Sequence, residues 1–477
     1  DFGAAIPNAV AASFILAAEY MTEHSVPLEI LACPRCGKTP LEKREAKLYC
    51  GGCDIAFPDF AGLPWLFAEP GATWHEWRSR WDFMLRNLNA NRERSVTALA
   101  APEGQLRDST RARLQRRIEA DAAHIESMRS LLAPFEMATP DSDFAMYLAL
   151  RTRLPPDQGL LTYYSNVHRD WAWGNAENAA SLELLTHVIA THSPRRMLVL
   201  GAGAGRLAYD LHRHYRPELT LGLDFNPLLV SIAARVSAGE KLRLREFPIA
   251  PRSIADYGVE HELESSAAEP GLHWIIGDTH RPPFAPRSFD TIVTPWLIDI
   301  VPEQLENFIG RINHLLADAG LWVNFGSLSF QNVHPAQQFS LEECLEIVQE
   351  KGFAEPLVET REMSYLSSPA SRHGRSEEVV AWAAPKTSHV KKTPKYAALP
   401  DWIVRGNTPI PLTQSVRTQA TSSQVHGFLL ALIDGRRTLH DIAKIAVERR
   451  LLQPSDAEET IRNFLIKMAD ESRRLGY

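Results

Sequence analysis

The sequence predicts an α/β fold, a doubly wound sheet flanked by a small cysteine-rich module and a helical tail, and three observations carry that expectation. Between about residues 195 and 385, short apolar runs alternate with segments of helical period, the pattern of strands covered by helices. The run MLVLG (197–201) passes directly into Gly201-Ala-Gly203-Ala-Gly205-Arg206, a strand-to-helix turn whose missing side chains let backbone approach a ligand closely. Near the amino terminus Cys33, Cys36, Cys50 and Cys53 read C-x2-C, thirteen residues, C-x2-C. Such spacing builds two thiolate knuckles.

The chain has 477 residues, 45% of them hydrophobic and 23% charged, a length and composition that fit about two to four domains with ordinary cores. A net charge of −7 argues against a general nucleic-acid scaffold. The basic run within 386–395 then reads as a solvated linker, or at most as a local patch. Residues 1–25 are expected to be an extension. Their apolar stretch from Ala9 to Ala18 follows Asp1, lacks the basic flank of a signal peptide and is too short to cross a bilayer. No membrane role is therefore expected.

The four cysteines, within 26–70, can complete the tetrahedral shell that a structural Zn²⁺ prefers, with Pro34 and Gly37 turning one knuckle and Gly51 and Gly52 the other. The competing reading is a pair of disulfides. With all four ligands drawn from protein no coordination position is open, so the ribbon is a structural or docking element. Cys344 is left over, a usage that fits a reducing cytosol and a cytoplasmic location. The following region, 71–160, is expected to be helical, because Leu114, Ile118, Ala122, Ile125 and Met128 recur at helical spacing.

Within 161–385 the expected strands are MLVLG (197–201), LTLGLD (219–224), HWIIGD (273–278), FDTIVT (289–294), LWVNFG (321–326) and VVAWAA (379–384), with helices following Pro302 and Ser340. A tail over 396–477 continues as three helices, 424–433, 439–450 and 455–474, with Asp434-Gly435 as the turn between the first two.

Gly201, Gly203 and Gly205 alone are a weak signal. Asp224, ending the next strand, strengthens it, because a carboxylate there can accept both hydroxyls of a ribose. That geometry serves NAD and S-adenosylmethionine (SAM) alike. The next strand ends at Asp278, with Thr279 beside it, and FDTIVTPW follows. This order resembles that of SAM-dependent methyltransferases, whose corresponding acidic residue meets adenine, and the lack of a dinucleotide GxGxxG also favours SAM.

HRDWAWGN (168–175), FDTIVTPWLIDIV (289–301), GLWVNFGSLSFQ (320–331) and SYLSSPAS (364–371) resemble four ordered motifs of the carnosine N-methyltransferases. The resemblance implies a Rossmann-like fold with a seven-stranded sheet, SAM as cofactor and methyl transfer to an imidazole nitrogen. It places Arg169, and Asn166 where the family has glutamine, over the methionine moiety of SAM. Asp224 stands where the family has glutamate, and Pro295 replaces a cysteine of the cofactor site. Asp299 and Tyr365 would contact the acceptor, with Trp296 as a wall. Phe330-Gln331 stands in place of a Tyr-His pair and Glu377 in place of a tyrosine, so the acceptor pocket departs from the family's. The expected catalytic residues are Asp299, Gln331 and Tyr365. For Asp299 the competing role is a helix N-cap or a carboxylate facing an internal arginine, for Glu377 a surface position beside Glu378, and for the aromatics simple core packing.

The ribbon resembles the small zinc-ribbon activator subunits that dock on methyltransferases, through its four cysteines and through Phe57-Pro58 and Gly62-Leu63-Pro64. The tail, with FLLALIDGRRTLHDIA, is similar to PqqD-like winged-helix modules, which implies a place for a leader peptide. The expected substrate is a histidine-containing small molecule or peptide. Two alternatives remain open: a methyltransferase of a ribosomal peptide pathway with a non-histidine acceptor, and an inactive SAM-binding regulatory protein.

Overall fold

The computed structural model describes residues 26–45, 47–102, 104–136, 159–267, 269–301, 303–330, 335–390, 409–412 and 414–475. The extension 1–25, Gln331 and half of the expected linker, 391–395, lie outside the described residues. The chain forms two compact units, Asp1–Thr393 and Pro394–Tyr477.

In the first unit, β1 (Glu42–Arg44), β2 (Lys47–Cys50) and β3 (Ile55–Phe57) make the antiparallel ribbon. A second hairpin follows, β4 (Asp59–Phe60) and β5 (Leu63–Leu66), then long helices at Pro70–Leu99 and Asp108–Leu131. The sheet proper is built from β6 (Arg196–Leu200), β7 (Leu219–Asp224), β10 (Leu272–Gly277), β11 (Phe289–Pro295), β12 (Leu316–Gly326), β13 (Leu357–Tyr365) and β14 (Arg375–Pro385). A separate hairpin, β8 (Leu242–Glu246) with β9 (Val259–Leu263), packs under the helix Asp108–Leu131, where Arg116 donates to the Gly258 carbonyl at 3.2 Å.

Among the described residues the sheet runs to nine strands, these seven and two more, in the order β13-β14-β12-β11-β6-β7-β10-β5-β4. The difference comes from the ribbon side: β5 lies parallel to β10, pairing Trp65 with Ile276 and Leu66 with Gly277, and β4 closes the edge. The hairpin that follows the ribbon is therefore part of the sheet. Alternation explains why it docks there, since Leu63, Trp65 and Phe67 enter the core on one face of the sheet while Leu66 enters the core on the other, beside Ile30, Leu31 and Phe57. Backbone bonds tie the same edge: Ala32 N–H to Pro283 O and Ala285 N–H to Ile30 O, both 2.8 Å.

Strand β6 has β7 on one side and β11 on the other, so the chain's direction of winding reverses there. A crevice at the carboxyl ends of the strands follows from that reversal. The helices expected after Pro302 and Ser340 run Leu305–Leu315 and Leu341–Glu350, the second with a capping box between Ser340 and Glu343.

The second unit contains helices Gln414–Ala431, Leu439–Glu448 and Ala457–Leu475 around Leu429, Ile442, Ala446 and Ile461. Its first helix starts ten residues before the expected 424. Asp434 makes the following turn, its carboxylate accepting the Arg436 and Arg437 N–H groups at 3.0 Å. No strand lies among the described residues of this unit. None of the described helices is long and apolar enough to cross a membrane.

Candidate active site

A cleft of about 230 Å³ opens at the carboxyl ends of β6, β7, β10 and β11. At its centre β6 gives way to the glycine turn. Gly203 has φ +56 and a Cβ there would meet nothing within 4 Å, so its side faces open space, whereas a Cβ on Gly205 would lie 2.5 Å from Trp274. Gly205 serves helix packing and stands outside the cleft lining; Gly201 and Gly203 line it.

Asp224, 6% exposed, ends β7. One of its oxygens accepts the Asn226 N–H and the other the Gly203 N–H, each at 2.9 Å. Burial raises its pKa, and those backbone donors oppose the shift. Each carboxylate oxygen keeps a lone pair for a further donor, which is what a ribose diol supplies. At the end of β10, Asp278 accepts from His280 through both the backbone N–H (2.8 Å) and ring Nδ1 (2.7 Å). Burial would raise the Asp278 pKa, but the His280 bond and charge outweigh it and hold the carboxyl low; His280 is raised in return, against its own burial. Thr279 lines the cleft beside them.

The other wall comes from a short helix, Tyr164–His168, that continues as a π-helical turn, Arg169–Trp173. A π turn widens the helix and is common at functional sites. Arg169 is held by Asp170, with Nε at 2.8 Å and Nη2 at 2.6 Å from Oδ1, and its guanidinium lies 5.6 Å from the Tyr365 ring centroid. Asn166 is also in the wall, and its buried Oδ1 has no hydrogen-bond partner among the described residues. An orphaned acceptor beside an open glycine and a two-oxygen carboxylate fits a polar, ribose-bearing cofactor.

At the opposite end Pro295, Trp296, Met363, Tyr365 and Glu377 form an aromatic corner, with the Trp296 and Tyr365 ring centroids 4.8 Å apart. Asp299 and Phe330 do not join it. The Asp299 carboxylate instead accepts the Ser329 N–H at 2.7 Å, and Phe330 packs edge-on against Phe339 in the core. Burial raises the Asp299 pKa, opposed by that N–H.

Several lining residues escaped the sequence reading. Glu177 accepts the Leu366 N–H at 3.2 Å and the Ser367 N–H at 3.0 Å, fixing the segment after Tyr365. Phe67, Ala68, Glu69 and Glu76 bring the ribbon-to-helix junction into the cleft. Only His280 had a nearby signal, its place in the GDTHRPPF run after the third strand. The others are brought in by distant contacts.

The four ribbon sulfurs lie within 4.8 Å of one another, with Cys33–Cys53 at 3.9 Å and Cys36–Cys50 at 3.6 Å. Tetrahedral zinc–thiolate geometry separates its sulfurs by about 3.8 Å. The donor set and spacing fit Zn²⁺.

Residues 236–388 match the carnosine N-methyltransferase family and residues 28–58 the Trm112p-like protein family. A 43-residue stretch is 49% identical to the UPF0434 protein MS0934 of Mannheimia succiniciproducens, covering 9% of this chain and 70% of that protein. Among solved structures, phosphoethanolamine N-methyltransferase 2 of Haemonchus contortus is 15% identical with a TM-score of 0.31, over 48% of this chain and 60% of that one. The N-methyltransferase NodS of Bradyrhizobium japonicum is 16% identical with a TM-score of 0.30, over 47% and 98%. The Haloferax volcanii complex of a Trm112 methyltransferase activator with a methyltransferase is 12% identical with a TM-score of 0.31, over 48% and 98%. Through the 43-residue stretch the chain belongs to the UPF0434 family, and through the 236–388 match it is a methyltransferase.

Proposed function

We propose that the chain transfers a methyl group from SAM to a ring nitrogen of a histidine-like imidazole, carried by a small molecule or a peptide. The observation that supports this most directly is the single continuous cleft, which joins Asp224, Asp278 and the glycine turn to the corner of Trp296 and Tyr365. When bound, SAM supplies an electrophilic methyl group. In this reading Asp224 accepts the ribose hydroxyls, Asp278 and Thr279 meet adenine, and Arg169 with Asn166 receives the methionine end. Trp296 and Tyr365 wall the acceptor.

A neutral imidazole already presents a lone pair at neutral pH, so the protein's task would be placement, with Trp296 and Tyr365 holding the ring nitrogen towards the methyl group that SAM would supply. Asp299 acts here by positioning, because its bond to Ser329 holds the segment that leads to Gln331. Zn²⁺ on Cys33, Cys36, Cys50 and Cys53 is structural.

The test is methyl transfer from labelled SAM to histidine, histidine dipeptides and histidine-containing peptides, with mass spectrometry to locate the methyl group. Methylation confined to acceptors without imidazole would sink the imidazole reading. Normal SAM binding without turnover on any acceptor would favour a regulatory protein.

A further inference from the structure

Strand β14 opens with two adjacent glutamates, Glu377 and Glu378, and the pleat separates them. Val379, Ala381 and Ala383 belong to the core on the cleft side of the sheet, whereas Val380, Trp382 and Ala384 belong to the core on the other. Glu377 continues the first column and lines the cleft; Glu378 falls on the opposite side of the pleat. The register fixes its neighbours. Glu377 lies across from Met363 and Arg375 across from Tyr365, so the carboxylate stands beside the aromatic corner.

The position is an uncommon one for a charge. The Glu377 side chain is 23% exposed, among Met363, Val379, Trp296 and Tyr365 in the cleft wall. A carboxylate in such surroundings needs a partner. Arg375 supplies one, its Nε 2.7 Å from Oε1, while the guanidinium sits 4.5 Å from the Tyr365 ring centroid. Arg375 itself is 56% exposed and approaches from the rim. No second cation pairs with Glu377 among the described residues.

We infer that Glu377 is a specificity-determining residue that selects an acceptor carrying a protonated amine or similar cation beside its methyl-accepting nitrogen. The inference rests on the methyl acceptor occupying the corner of Trp296 and Tyr365, as in the function proposed above. Aromatic faces attract a cation through their quadrupoles. A carboxylate already oriented by Arg375 adds a charge-assisted hydrogen bond without a further ordering cost. Methyl transfer from a sulfonium to a neutral nitrogen moves positive charge from sulfur towards the acceptor, so the same carboxylate favours the charge that develops there.

The test uses the full chain loaded with S-adenosylhomocysteine and two matched probe pairs, titrated by calorimetry at about pH 8.5, where imidazole rings are mostly neutral and alkylamines remain charged. Histamine against 4-methylimidazole differs mainly in the ammonium group, and benzylamine against benzyl alcohol repeats the contrast without imidazole. In the unaltered chain each cation should bind about tenfold more tightly than its neutral partner, the worth of one charge-assisted bond. Glu377→Gln should bring both ratios close to one with S-adenosylhomocysteine affinity unchanged, and Glu377→Asp should keep most of the preference. Equal binding of cation and neutral probe to the unaltered chain, no binding of either, or a preference that survives Glu377→Gln would each overturn the inference. A Glu377-dependent preference in the benzyl pair, together with absence of methyl transfer to any imidazole, would keep the inference and remove the imidazole acceptor.

Discussion

At the scale of single residues, Asp224 is the side chain on which most depends, because it joins β7 to the glycine turn before any ligand arrives. Asp224→Ala removes the proposed ribose acceptor and leaves two backbone N–H groups without their partner. It should weaken S-adenosylhomocysteine binding by roughly tenfold to a hundredfold, the span of one or two hydrogen bonds to a charged group, measured by calorimetry. Asp299→Asn should leave that affinity nearly unchanged and lower turnover, because the Asp299 carboxylate meets Ser329 and not the cleft. Comparable losses of affinity in both variants would mean that Asp299 reaches the cofactor. The pair Asp278 and His280 makes a pH prediction. His280 is raised above its ordinary 6.5, so its share of stability is full below about that pH and is lost as pH climbs through the raised value; the Asp278 share, from a carboxyl held below 3.8, is lost only in strong acid. The melting-temperature difference between the unaltered chain and His280→Asn should therefore be largest near pH 6 and shrink towards pH 8.5. That Asp224, Asp278, Thr279, Arg169, Asn166 and Trp296 gather in one cleft was legible in the sequence, because strand ends and short motifs place them locally. Asp299 was placed at the acceptor because no sequence pattern shows whether a carboxylate after a strand turns into a cleft or caps a neighbouring loop.

Among the elements, β5 was the one the sequence hid. Its four residues, LPWL, include a proline and are too few to show an alternation, so the ribbon read as a separate module. Pairing with β10 and full burial of Trp65 instead make it part of the sheet. The antiparallel strand β13 was missed as well, since LVETREMSY mixes charges into both faces of a strand near the sheet's edge. The six main strands were legible, because buried strands flanked by helices are continuous apolar runs. The β5 connection changes what metal loss should do. Phe67, Ala68 and Glu69, just past β5, stand in the cleft wall, so a ribbon that loses its fold takes a piece of the cleft wall with it. Trp65→Ala should cost about 3–5 kcal/mol, the usual range for a buried large aromatic, measured by urea denaturation. Removing zinc with a chelator, or Cys33→Ser, should lower the melting temperature and weaken S-adenosylhomocysteine binding together. Unchanged stability and unchanged affinity after verified zinc removal would refute a structural metal coupled to the site.

On the scale of the whole molecule, the chain divides at Thr393–Pro394 into a sheet-bearing unit, to which the described cleft-lining residues belong, and a smaller helical unit. The tail's helices enclose a small core, and Ile433 and Leu451 remain 42% and 39% exposed, with Ile410 and Leu412 at 72% and 62% ahead of the first helix. We propose that this unit holds a leader peptide. Tethering explains what such a unit would contribute. A peptide held by its leader meets the cleft at an effective concentration set by the intervening segment, in the millimolar range for short flexible linkers, without any new contact at the acceptor. Deleting 394–477 should therefore leave cofactor affinity intact, because the described residues that line the cleft all belong to the first unit. It should also leave methylation of a short histidine-containing fragment unchanged at high concentration, while activity on a long peptide at micromolar concentration falls by about a hundredfold or more. The measurement is kcat/KM for both substrates, by mass spectrometry, with the full and shortened chains. Equal activity of the two chains on the long peptide would reduce the tail to an appendage, and a parallel fall on both substrates would make it a structural lid.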